Sequence, residues 1–170
     1  VWYNSDYLVN EETNFPYDVL AFGEDNYAEV FLAAFSGCED IVLSSLGDVG
    51  VGETVDGDHD LLYFAVTQYH SDLALALIEA SFDINTLYED GESLLHLFAA
   101  AENLDRSWDI GNIFDLYQAD PDTLNEEGVP AVFAAVANNI YALEHLVALM
   151  DIGANVEVVG SEGKTLLHEA

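Results

Sequence analysis

One motif returns along this chain at a nearly constant interval, and that interval constrains the fold more than any local propensity does. Gly91-Glu92-Ser93-Leu94-Leu95-His96-Leu97 and Gly163-Lys164-Thr165-Leu166-Leu167-His168-Glu169 are two copies of it. Gly128-Val129-Pro130-Ala131-Val132-Phe133-Ala134 is a third, and Asp58-His59-Asp60-Leu61-Leu62-Tyr63-Phe64 a more divergent fourth. The turn residue before each apolar run falls at Asn26, Asp58, Gly91, Gly128 and Gly163, at intervals of 32, 33, 37 and 35 residues. A period in this range marks an array of small units, each unable to bury its apolar face alone. Apolar residues recur at helical spacing within each unit and predict helix pairs over about 28–47, 60–80, 93–117 and 130–151, with another beginning near 165. The longer third unit places an insertion near Leu104–Asp109, expected in the turn between its two helices, so that its second helix covers about Ile110–Tyr117.

Gly153-Ala154-Asn155-Val156 leads through an expected hairpin into the last copy of the motif. This stretch resembles the junction between two ankyrin repeats, where G-A-x-V precedes G-x-T-P-L-H-x-A. The resemblance covers about residues 26–170. It implies an all-α solenoid of helix-turn-helix units with short β-hairpin-like loops, in units near 26–57, 58–90, 91–127, 128–162 and a partial one at 163–170. Residues 1–25 show no repeat signature; Tyr7-Leu8-Val9 and Tyr17-Asp18-Val19-Leu20 are the material for a helical cap. The partial last unit leaves Leu166 and Leu167 without a second helix, which predicts that the array continues. Leu94 and Leu166 stand where the family has Pro, Asp60 and Pro130 where it has Thr, and Tyr63 and Phe133 where it has His. The hydrogen bonds that join neighbouring units are therefore expected to be incomplete, with aromatic packing in their place. Gly37 and Asn139 suit the left-handed turn that closes a first helix; Tyr69 and Glu102 hold that position less well.

Charge limits the partners. The chain has 33 Asp and Glu against two basic residues, Arg106 and Lys164, for a net charge of −31. Such a surface repels phosphate, so direct nucleic-acid binding and attraction to anionic membranes are excluded. No run of eighteen apolar residues offers a membrane span. A hydrophobic fraction of 51% is too high for general disorder. The single cysteine, Cys38, excludes an internal disulfide and fits a reducing, intracellular compartment.

The candidate chemistries each yield to a plainer explanation. Asp56-Gly57-Asp58-His59-Asp60 looks like the opening of a calcium loop, but Leu61 and Thr67 occupy the positions of its required Gly and Glu. His168-Glu169 is the start of a zinc motif only if the register that explains Leu95-His96-Leu97 is ignored. Gly50-Val51-Gly52 lacks the third glycine and the basic residue of a phosphate loop. Cys38 adjoins Glu39 and Asp40, a setting that disfavours the thiolate. No metal, cofactor or catalytic set is implied, and an enzyme is the least expected class.

The expected function is that of a protein-binding scaffold. By the resemblance, hairpin tips and first helices form the recognition face. Here that face comprises Asp56, Gly57, Asp58, His59, Gln68, Glu89, Asp90, Glu92, Glu126, Glu127, Asn138 and Glu162. Its carboxylates call for a basic protein or peptide. Two alternatives follow from the same charge. At roughly 10 Å per unit the array is about 45 Å long, so the net charge is spaced at about 1.5 Å, near the ~1.7 Å of duplex DNA; this admits an acidic mimic of nucleic acid. The chain is otherwise a structural segment of a larger repeat assembly.

Overall fold

The computed structural model describes residues 27–54, 58–101, 104–137, 141–160 and 163–169. The expected N-terminal cap lies outside them. The fold is all-α, and the chain divides into two compact units, Val1–Phe82 and Asp83–Ala170, within each of which helix pairs stack.

In the first unit, α1 (Tyr27–Ser36) and α2 (Glu39–Ser45) form one pair, and α3 (Leu61–Thr67) and α4 (Ser71–Glu79) the next. α1 packs on α3 and α2 on α4. Phe31, Ala34, Val42, Leu61, Leu62, Phe64, Ala65, Leu73 and Leu77 are buried between them. The Phe64 ring meets Phe31 edge-on at 6.1 Å and Phe35 at 6.4 Å, an arrangement that suits the ring quadrupoles. Asp60, where the family pattern has Thr, caps α3 by accepting the Tyr63 N–H at 2.9 Å.

In the second unit, α5 (Leu94–Ala99) and α6 (Leu104–Leu116) form a pair, α7 (Ala131–Ala137) and α8 (Ala142–Asp151) another, and α9 (Leu166–Glu169) follows. α5 packs on α7 and α7 on α9, while α6 packs on α8. The insertion near Leu104–Asp109 does not lengthen the turn as expected: it extends α6 at its N-terminus to Leu104. The stretch Leu104–Asp109 contains no Gly or Pro, so nothing in it breaks a helix. Gly111 sits mid-helix because the Phe98 ring lies over it; a Cβ there would stand 3.2 Å from Cζ. Phe98 also meets Phe114 edge-on at 5.4 Å and His145 at 5.0 Å.

Five helix ends share one closing motif. The pairs Gly37 N–H to Ala34 C=O and Cys38 N–H to Ala33 C=O recur at Tyr69 and His70, Ser81 and Phe82, Gln118 and Ala119, and Gly153 and Ala154. This is the Schellman closure, which needs a left-handed residue. Gly37 and Gly153 take it at φ 73° and 98°; Tyr69, Ser81 and Gln118 take it at 60°, 83° and 54°. At Gly37 space also matters, since a Cβ would stand 2.6 Å from the His70 ring, whose Nε2 donates to the Phe35 carbonyl at 2.9 Å.

Two predictions follow from these features. Ser81→Gly and Gln118→Gly should each raise the unfolding free energy by about 0.5–1 kcal/mol, and Gly37→Ala should lower it by about 2 kcal/mol, in urea titrations. His145 is fully buried, and desolvation lowers its pKa from 6.5, with Glu144 opposing. The unfolded chain therefore binds the proton more readily, so the stability this neutral ring contributes is complete above about pH 6.5 and is lost as pH falls below it. The melting temperature of the wild type should fall more between pH 7 and 5 than that of His145→Gln; parallel curves would contradict the assignment.

Candidate functional site

Three loops of the second unit repeat one geometry. Leu87 bridges to Ser93, Leu124 to Pro130 and Val159 to Thr165, each as an isolated antiparallel pair. Within them Tyr88 N–H donates to Glu92 C=O, Asn125 N–H to Val129 C=O and Gly160 N–H to Lys164 C=O. Each turn is closed by a register glycine, Gly91, Gly128 or Gly163, at φ 70°, 73° and 75°, as a short hairpin with a left-handed residue requires. Asn125 reinforces the middle hairpin, its side-chain oxygen accepting the N–H groups of Glu127 and Val129 at 3.1 and 3.0 Å.

The hairpins are fastened side by side. Asn85 Oδ1 accepts the Asp120 N–H at 2.8 Å, and one repeat later Asp122 Oδ1 accepts the Asn155 N–H at 3.0 Å. At the tips, a Cβ on Gly91 would stand 2.9 Å from the Glu126 backbone nitrogen, so the first two turns touch. From beneath, His96 Nε2 donates to the Val129 carbonyl at 2.9 Å. Its tautomer is set by Ser93, whose N–H and hydroxyl both point to Nδ1, at 3.2 and 2.8 Å. His168 is held in the same way by Thr165, at 3.1 and 2.8 Å. Where Phe133 replaces the histidine, its ring lies against the next hairpin instead; a Cβ on Gly160 would stand 2.9 Å from its Cζ.

The residues expected at a recognition face are distributed as follows. Glu89, Glu126 and Glu127 are exposed at the tips of the two touching hairpins, Glu92 is half-buried beside them, and Asp90 lies in the short 3-10 helix Glu89–Gly91. Asp58 is exposed in the first unit, and Gln68 caps the C-terminus of α3. His59 is only 8% exposed, its ring 4.0 Å from that of Tyr63 and 6.3 Å from Phe64. It packs rather than facing solvent, because Tyr63, where the family has His, offers it an aromatic surface. Asp56, Gly57, Asn138 and Glu162 lie outside the described residues. Among the described residues no three His, Cys, Asp or Glu side chains gather as a metal site, and no helix is long and apolar enough to cross a membrane.

The chain is 32% identical, over 111 residues, to an ankyrin repeat-containing protein of Schizosaccharomyces pombe. The match covers 64% of this chain and 50% of that protein, so the chain spans half the length of its relative. No protein-family model matches the chain. Together with the helix pairs and hairpins, the likeness suggests an ankyrin-like repeat protein.

Sequence reasoning missed two features of the hairpins. One is the ladder of Asn85 and Asp122, four residues after the left-handed closures at Ser81 and Gln118. The other is an aliphatic residue, Leu87, Leu124 or Val159, four residues before each register glycine, and each of these is exposed. Both were available as equal offsets from the register. The histidine bond is open to a direct test. His96→Phe should give α5 the arrangement of Phe133 and remove one of the two donors at the Val129 carbonyl, leaving the Asn125 N–H. A cost of about 1–2 kcal/mol is expected, with faster hydrogen exchange at the Asn125 amide.

Proposed function

We propose that this chain is an ankyrin-like protein-interaction module whose hairpin row takes a positively charged protein partner. The likeness to an ankyrin repeat-containing protein supports an interaction module in general. The observation that carries the finer reading is the exposure of Glu89, Glu126 and Glu127 on hairpins fastened edge to edge. Rigid backbone holds these carboxylates in fixed relation, so a partner meets them with little ordering cost. Several other acidic residues are committed internally: Asp60, Asp83, Asp120 and Asp122 each accept a backbone N–H. The tips are thus distinguished from the remaining negative surface by what their side chains can reach.

A charge-led encounter has a kinetic signature. Association with a labelled lysine-rich peptide should be fast and should slow as salt shortens the screening length. Glu89→Gln with Glu126→Gln and Glu127→Gln should slow it about tenfold. Neutralising the same number of exposed acids on second helices, by Glu79→Gln, Glu144→Gln and Asp151→Asn, should change it far less. Equal slowing from the two sets would show that only the total field acts and would overturn the assignment to the hairpins.

A further inference from the structure

Leu87, Leu124 and Val159 do not serve the core. They are 54%, 55% and 59% exposed, although each sits at a bridge between hairpin strands. Their neighbours divide the work by the period of a strand: Tyr88 is buried, and so contributes inward, while Leu87 beside it faces out. Nor do they fall at scattered places. They hold the same position in three successive hairpins, and those hairpins are fastened laterally by the Asn85 and Asp122 bonds. Equivalent residues of stacked helix pairs repeat at about the spacing of packed helices, roughly 10 Å. The result is a row of single aliphatic side chains, one per repeat. It runs beside tips that carry Glu89, Glu126 and Glu127.

We infer that this row is the seat of an amphipathic, basic α-helix from a protein partner, laid apolar face down across Leu87, Leu124 and Val159. The inference rests on the acidic-face reading above and names its partner more closely. Spacing selects the conformation. Seven residues of α-helix advance about 10.5 Å, so a helix with an apolar residue at every seventh position meets one aliphatic side chain per repeat. In an extended strand about three residues cover that distance, and residues three apart point to opposite sides. Charge selects the chemistry. Lysine or arginine flanking the apolar stripe would stand over the tip carboxylates, whereas a second copy of this chain would bring another net −31 against them. The third hairpin carries the exposed Lys164, so the partner's positive charge is expected over the first two.

The test uses the full chain and two labelled peptides of equal composition. One has three heptads with leucine at the first and fourth positions and lysine and alanine elsewhere; in the other the leucines are moved so that no single face is apolar. At about 0.15 M salt, where exposed charges more than about 8 Å apart are largely screened, the patterned peptide should bind about tenfold tighter and gain helical circular dichroism on binding. Leu87→Ser with Leu124→Ser and Val159→Thr should erase that ratio, leaving both peptides at the weaker affinity; these positions are exposed, and unchanged thermal melts would confirm folding. Leu124→Thr alone, which keeps a strand-forming residue at the bridge, should reduce the ratio in part. A ratio that survives the triple change, or a bound peptide that gains no helix, overturns the inference. The Glu89, Glu126 and Glu127 variant separates the two proposals: it should weaken both peptides while preserving their ratio. Undiminished binding of both peptides to it would sink the acidic-face reading, whereas loss of the ratio in the aliphatic variant alone would uphold the seat for the apolar face.

Discussion

A chain with 33 acidic residues and two basic ones must hold its fold with forces that require no counter-charge. Ion pairing is closed to most of its carboxylates, and repulsion among them opposes compaction. Two things answer this constraint. Aliphatic and aromatic burial within each unit supplies the driving force, with Phe31, Phe64, Leu73 and Leu77 in one and Phe98, Phe114, Ile110 and Leu149 in the other. Backbone amides then take the part that lysine and arginine play elsewhere. Asp60 is satisfied by a helix N-terminus, and Asp83, Asp120 and Asp122 by loop N–H groups. A carboxylate bound to an amide keeps its charge but gains a fixed direction, so part of the acidity becomes structural.

The contacts between one repeat and the next come in two chemistries that occupy the same place. His96 reaches the following hairpin through a hydrogen bond to Val129, while Phe133 reaches the hairpin after that by lying against Gly160. The first is directional and fixes a tautomer; the second depends on the absence of a side chain at residue 160. In the other unit His70 makes the reverse connection, from the later helix pair back to the Phe35 carbonyl. Gly37 is the condition for that contact, since any side chain there would meet the ring.

Much of this was legible in the sequence because the repeat supplies its own reference. The positive-φ positions Gly91, Gly128, Gly163 and Tyr69 fell where the register put them, and the helix pairs followed the apolar spacing. The insertion was misplaced because the repeat length shows that residues are added but not whether they join the turn or the helix; they extend α6, inside which the Phe98 ring accounts for Gly111. At the candidate site, Glu89, Glu126 and Glu127 were readable as turn residues with nowhere to go but solvent. His59 was not, since its burial depends on Tyr63 one turn further along. The aliphatic row was hidden by local ambiguity: in Leu87-Tyr88 and Val158-Val159 two apolar residues adjoin, and only the strand geometry decides which one faces out.

The ladder that fastens the hairpins has a direction. At each rung the earlier repeat supplies a side-chain acceptor and the later one a backbone donor, from Asn85 to Asp120 and from Asp122 to Asn155. Because the donor is backbone, any residue except proline can sit on the receiving side; the acceptor must be an Asn- or Asp-like side chain. Repeats joined this way are interchangeable in order but not in orientation. A duplicated or transplanted unit brings its own acceptor and finds a donor already waiting, whereas an inverted one would set acceptor against acceptor. The ladder alone would therefore tolerate a change in the number of units, whereas the Phe133 contact ties its repeat to a follower with glycine at the position of Gly160.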